Sequence, residues 1–308
     1  MNQSSKIVNR HAAFLGLCGI GLVFFFIPAV QLLRMSFRSE LYSHIPMIPL
    51  ISLSILVFNR KRIFSETRSG WIGFGLIALG LATLPGADRI GGLEENDYLS
   101  MVMAGAVLWV IGGFVAAYGS KTFREAMFPL LFLIFVIPIP KFILDPFVEL
   151  LQVWSAHAAY FLLSLSGVPL HRDGFVFALP NITIEVAPQC SGIRSSIALI
   201  ITSVFAGYLF LRNGWSRLIL VLSFFPITIF KNALRIVTLS LLASYVDTSF
   251  ITGSWLHKSG GIPFFAVGLA LMAPVLWALM KVEKRKSGQD IQERCSAFPD
   301  ERQNGPLK

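Results

Sequence analysis

Long apolar runs, separated by short polar segments, constrain the fold of this chain more than any other feature. Each run approaches the roughly 20 residues that an α-helix needs to cross a bilayer. Only 14% of the 308 residues are charged, against roughly 25% in a soluble domain, and the mean hydropathy is +0.68. The sequence therefore predicts an all-α polytopic membrane protein rather than a soluble domain.

The apolar runs predict about eight transmembrane helices. Residues 145–166 carry polar side chains every three to four positions, which predicts a helix lying in the outer interface. A ninth span is the alternative for this stretch. The eight predicted spans cover residues 12–33, 41–58, 71–87, 98–118, 126–141, 191–211, 216–246 and 262–281.

The distribution of lysine and arginine predicts the orientation. With the N-terminus inside, the inner segments hold 17 of the 26 basic residues and the outer segments hold 6, as the positive-inside rule requires. Both termini are then cytoplasmic, and the net charge of +9 does not indicate nucleic-acid binding. Residues 145–166 are placed in the interface because a crossing there would put Cys190 and His257 on opposite sides.

The chain is predicted to form one integral-membrane domain, residues 1–281, with a catalytic core at about 138–261. Two runs of alternating apolar residues, 175–179 and 182–186, flank Pro180-Asn181 and predict a short β-hairpin on the outer face. The polar tail, residues 282–308, is expected to be cytoplasmic and disordered.

Cys190 lies at or beside the N-terminus of the sixth predicted span, with Arg194 four residues on. A thiol at a helix N-terminus meets unpaired N–H groups and the positive end of the helix dipole, which stabilise a thiolate. Arg194 lies on the same helix face and adds positive charge. The alternative is that Cys190 is a small buried apolar residue, its commonest role.

A polar stripe runs along the seventh predicted span. Lys231, Asn232 and Arg235 contribute to it on an otherwise apolar helix, so the stripe is expected to face the bundle interior or a wet cavity. Arg235 could instead snorkel to the interface, although it lies roughly 15 Å from the outer end of the helix. Lys231, one turn deeper, is expected to anchor or pair.

His257 opens a glycine-rich loop before the last span, on the same predicted side as Cys190. A neutral imidazole is a natural partner for a thiol, whereas a lone loop histidine is usually just exposed. The histidines and the three cysteines show no metal-ligand spacing, so we predict no metal and no cofactor.

Three blocks of residues resemble the signature of the exosortase/archaeosortase family. They are Cys190-Ser191-Gly192-Ile193-Arg194-Ser195, then Asn232-Ala233-Leu234-Arg235, then His257, within a core from about 138 to 261. The first block is specific and the other two are weak alone. A histidine in the third block is similar to bacterial members, which implies the inner membrane with an active site on the periplasmic side.

The resemblance implies a membrane cysteine transpeptidase that acts on exported proteins. Their C-terminal sorting signals combine a short motif such as Pro-Glu-Pro, a hydrophobic helix and a basic cluster. By motif, Cys190 matches the nucleophile, Arg235 the essential arginine and His257 the essential histidine; Arg194, Asn232 and Lys231 are expected to support them or bind substrate. The implied partners are these proteins, membrane lipid and an acceptor that the sequence does not identify.

Two other functions fit the sequence. A non-catalytic component of exopolysaccharide export, or a lipid-handling transporter, could use the polar stripe to line a path. Transporters often contain repeated halves, and this chain shows none. A hydrolase without an acceptor is the other alternative, because water and an amine would resolve the same thioester.

Overall fold

The chain forms a largely helical membrane protein with a small antiparallel sheet. The computed structural model describes residues 3–64, 70–187, 191–247 and 261–297. Within these ranges the α-helices are α1 Gln3–Phe24, α2 Phe26–Arg38, α3 Met47–Phe58, α4 Arg60–Ile63, α5 Ile72–Ile90, α6 Glu95–Glu125, α7 Met127–Phe132, α8 Lys141–Leu165, α9 Ile193–Phe210, α10 Gly214–Tyr245 and α11 Gly261–Ala297. The all-α polytopic prediction is confirmed.

Seven of the described helical segments are long and apolar enough to cross a membrane. Six of them correspond to predicted spans. The predicted span 71–87 forms helix α5, and the predicted span 126–141 forms a shorter apolar helix, Met127–Val136, in which α7 continues as a 3₁₀-helix. Neither is among the seven. The seven segments are Ile7–Phe24, Glu40–Phe58, Glu95–Glu125, Lys141–Leu165, Ile193–Phe210, Gly214–Tyr245 and Ile262–Lys286.

The helix predicted at 145–166 is present as α8. Its length and composition suit a membrane crossing, so they fit the ninth-span alternative as well as the interfacial placement. The polar residues of α8 differ in burial: Gln152 is buried, whereas Glu149 is exposed.

The chain divides into two compact units, Met1–Val148 and Glu149–Lys308. In the first unit, α5 packs closely on α6 because glycines face each other along both helices. A Cβ added at Gly112 would meet the Gly73 carbonyl oxygen at 2.7 Å, and one at Gly80 would meet the Gly105 carbonyl oxygen at 2.5 Å. Such small-residue contacts let backbones approach where lipid removes the usual hydrophobic drive.

The loop before α8 is held by side chains of α6. Asn96 Nδ2 donates to the Ile139 carbonyl at 2.8 Å and Ser100 Oγ donates to the Pro138 carbonyl at 2.7 Å. Asp97 Oδ1 accepts from the Lys141 backbone N–H at 2.7 Å, which satisfies one of the unpaired donors at the start of α8. This part of the first unit therefore fixes where α8 begins.

The predicted hairpin is confirmed and gains a third strand. The strands β1 His171–Asp173, β2 Val176–Leu179 and β3 Ile182–Glu185 form one antiparallel sheet in that order. Leu179 pairs with Ile182 across the Pro180-Asn181 turn. Strand β1 was not predicted because its three charged or polar residues give no apolar alternation.

The last helix is longer than expected. Residues 282–297, expected to be disordered, continue α11 to Ala297. Lysine, glutamate, arginine and glutamine dominate this segment and favour a helix, and proline first recurs at Pro299. The rest of the predicted tail, 298–308, lies outside the described residues.

Candidate active site

The first turn of α9 is tied together at one carbonyl group. Gly192 precedes the helix with φ +75°, a left-handed conformation that glycine adopts without steric cost. Its carbonyl oxygen accepts from the Ser196 N–H at 3.0 Å, from Ser195 Oγ at 3.0 Å and from Ser196 Oγ at 2.7 Å. Three donors on one acceptor fix the entry of the chain into α9.

Helix α10 packs directly against this turn. A Cβ added at Gly192 would lie 2.7 Å from Asn232 Oδ1 and 3.0 Å from Asn232 Cγ, so only glycine allows this approach. Lys231 Nζ donates a hydrogen bond to Ser195 Oγ. Both α10 side chains are 1% exposed. The first two signature blocks, far apart in the sequence, are therefore in contact.

Each of the two helices in contact also carries an arginine near the contact. Arg235 lies one turn beyond Lys231 on α10, close enough for the two positive charges to interact, and it is half-buried. Arg194 lies in the first turn of α9 and is also half-buried. Helices α9 and α10 contain no aspartate or glutamate, so neither helix carries a counter-charge of its own.

The predicted nucleophile Cys190 and the predicted histidine His257 lie outside the described residues. The chain on either side of Cys190 is anchored. Gln152 Nε2 of α8 donates to the Val186 carbonyl at 2.6 Å, in a buried contact, and Gly192 is held as described above. Only Ser191 separates Cys190 from Gly192 in the sequence.

The sheet lies on α8 and α10. Asn181 Nδ2, in the β2–β3 turn, donates to the Ser244 carbonyl at 2.9 Å. A shared apolar cluster includes Ala156 and Leu163 of α8, Phe177 of β2 and Ala233 of α10. The strand that leads toward Cys190 is thus packed on the same helix that carries Lys231 and Arg235.

Sequence reasoning missed three residues of this arrangement. The sequence pattern includes Gln152 only as one of the polar positions in 145–166, and Ser195 only as the last residue of the first signature block. The third is Gly268 of α11, where an added Cβ would lie 3.2 Å from Lys231 Cδ. Polar residues inside apolar segments were the available signal for the first two; a glycine that makes room for a side chain of another helix has no local signal.

The described residues include no group of three or more histidine, cysteine, aspartate or glutamate side chains able to hold a metal ion. The absence of a metal and of a cofactor stays a prediction, since Cys190 and His257 lie outside the described residues.

A family model described as "Transmembrane exosortase (Exosortase_EpsH)" matches residues 33–274. This chain belongs to that family. The match spans α9, α10 and the segment with His257, so the resemblance drawn from the three sequence blocks is confirmed. No curated protein and no solved structure matches the chain.

Proposed function

We propose that this exosortase-family protein is a membrane-embedded cysteine transpeptidase. It cleaves the C-terminal sorting signals of exported proteins, composed of a short motif, a hydrophobic helix and a basic cluster, and transfers the cleaved protein to an acceptor. The proposal places it in a bacterial inner membrane with the site on the periplasmic side. The observation that carries it is the contact between Gly192 and Asn232, which joins two of the family's signature blocks.

The proposed chemistry is acyl transfer through a thioester. The Cys190 sulfur, its proton taken by His257, attacks the scissile carbonyl carbon and gives a tetrahedral oxyanion. Collapse breaks the C–N bond, and the imidazolium of His257 returns the proton to the leaving amine. An acceptor amine, or water, then attacks the thioester, giving a new amide or an acid and releasing the thiol.

Positive charge supports this assignment of roles. The oxyanion needs donors or cations positioned before the reaction, and Arg235 is the half-buried cation at the open end of the α10 stripe. Arg194, in the first turn of α9, stabilises the Cys190 thiolate together with the helix N-terminus. Arg235 binds the carbonyl oxygen, and Lys231 and Asn232 support the turn.

The test is processing of a tagged substrate that carries the three-part sorting signal. Cys190→Ala should reduce cleavage by several orders of magnitude, because the covalent step has no nucleophile. Cys18→Ala and Cys295→Ala are matched controls that should process normally. Full cleavage by Cys190→Ala at equal membrane levels would refute thiol catalysis, and product mass identifies water or an amine as the acceptor.

A further inference from the structure

Lys231 is the most deeply buried charged side chain among the described residues. It is 1% exposed and its ammonium has one described hydrogen-bond partner, Ser195 Oγ. Burying an ammonium is costly unless it is paired or hydrogen-bonded, and no acidic residue occurs on α9 or α10. A lysine in this position therefore needs a reason beyond packing.

Helix α11 provides the space for this lysine. Gly268 lies against the side chain: a Cβ there would be 3.2 Å from Lys231 Cδ, a separation tighter than ordinary van der Waals contact, and 3.6 Å from Leu199 Cδ1. The lysine stem and Leu199 of α9 thus both lie against the backbone of α11 at Gly268. Its path directs the ammonium to the first turn of α9.

The Lys231 ammonium is the first donor in a series of two hydrogen bonds. Lys231 donates to Ser195 Oγ, and Ser195 Oγ donates its own proton to the Gly192 carbonyl at 3.0 Å. Hydrogen bonds in such a series polarise one another. The series ends at Gly192, whose left-handed conformation sets the entry to α9 and which lies two positions after Cys190.

We propose that Lys231 and Ser195 form a latch that holds the first turn of α9 against α10, and that Lys231 is a positioning residue for the reaction at Cys190. The inference rests on the proposed function. The latch joins the helix that follows the nucleophile to the helix that carries Arg235. In this role Lys231 acts through Ser195, by setting the position of the first turn of α9 relative to Arg235.

A positioning role and a structural role predict different results for Lys231→Met. Replacing a buried charge by an apolar side chain of similar size is often neutral or stabilising. Ser195 would keep its bond to Gly192, so no buried hydroxyl loses its acceptor. A positioning role therefore predicts unchanged or higher thermal stability together with lower kcat, a combination that a structural role does not give.

The experiment compares Lys231→Met, Ser195→Ala and the double variant in the full-length protein. Each should lower kcat for the tagged substrate by about 10²-fold, the cost of a misplacement of about 1 Å, with KM changed less than kcat. The double variant should be no worse than the worse single variant, because each single change already breaks the interaction between Lys231 and Ser195. Alkylation of Cys190 by iodoacetamide, in a background lacking Cys18 and Cys295, should become slower. The pH dependence of its rate should shift to higher pH.

Thr228→Val is the matched control. Thr228 lies one turn before Lys231 on α10, is fully buried, and its hydroxyl has no hydrogen-bond partner among the described residues. Loss of that hydroxyl should leave kcat and alkylation unchanged. An equal loss of kcat in Thr228→Val would assign the effect to general packing and overturn the latch.

Two further outcomes would overturn the proposal. One is kcat within twofold of wild type in both single variants at equal folded protein; the other is losses that multiply in the double variant. Alkylation needs no substrate, so it reports on the latch even where Cys190→Ala still cleaves the substrate. A failure of the proposed function is thereby separated from a failure of this inference.

Discussion

Replacing Gly192 by alanine should damage this protein in two separable ways. The left-handed backbone, φ +75°, costs a residue with a Cβ about 1–2 kcal/mol. The new Cβ would also lie 2.7 Å from Asn232 Oδ1, about 0.7 Å inside an ordinary contact of 3.4 Å, and such overpacking costs about 1–3 kcal/mol. The expected loss in the free energy of unfolding is therefore about 2–5 kcal/mol.

Gly167→Ala separates the two contributions. Gly167 has φ +72°, and a Cβ there meets no atom within 4 Å, so only the backbone cost of about 1–2 kcal/mol applies. The free energy of unfolding is measured for both variants by SDS titration in mixed micelles. Gly192→Ala should be the less stable by about 1–3 kcal/mol.

The functional effect of Gly192→Ala should exceed its effect on stability. Relief of the contact shifts Asn232 or the start of α9 by about 0.7 Å, and a shift of about 1 Å at a reacting geometry costs about 10²-fold in rate. Cleavage of the tagged substrate is compared at equal folded protein. Equal destabilisation by Gly167→Ala and Gly192→Ala, with normal cleavage by both, would refute the close approach of α9 and α10.

Two further predictions concern the arginine and the topology. Arg235→Lys should lose about 10²-fold or more in cleavage rate, nearly as much as Arg235→Ala, because lysine lacks the planar fork that grips an oxyanion and a neighbour together; near-normal cleavage would reduce Arg235 to a general positive charge. Cysteines placed at Asp173 and at Ser259 in a cysteine-free background should both react with an impermeant maleimide in intact cells, since both loops are proposed to be periplasmic. Reaction at only one of them would mean that α8 crosses the membrane.

The sequence predicted the elements with strong local patterns. Alternating apolar residues on both sides of Pro180-Asn181 predicted strands β2 and β3, and long apolar runs predicted α9 and α10 to within a few residues. Strand β1, with Arg172 at its centre, was not predicted, because its pairing with β2 depends on the neighbouring strand and not on its own composition. The helix over residues 282–297 was not predicted because a charged, polar composition indicates disorder, although lysine, arginine, glutamate and glutamine also favour a helix.

The sequence predicted which residues belong to the candidate site but not which contacts they make with one another. The polar stripe on α10 identified Lys231, Asn232 and Arg235, since helical periodicity alone places them together. The contacts of Lys231 with Ser195 and of Asn232 with Gly192 depend on the register between α9 and α10. Packing of the whole bundle sets that register, and no local pattern encodes it.

The burial of the α10 stripe bears on the transporter alternative. A stripe that lined a transport path would present accessible polar side chains along its length. Thr228 is fully buried and Lys231 and Asn232 are each 1% exposed, whereas Arg235 and Thr238, farther along the same face, are half-buried. Most of this stripe is therefore closed by the first turn of α9 and by Gly268 of α11. A stripe that is closed at Lys231 and Asn232 and opens only from Arg235 onward suits a localised reaction site better than a path along the whole helix.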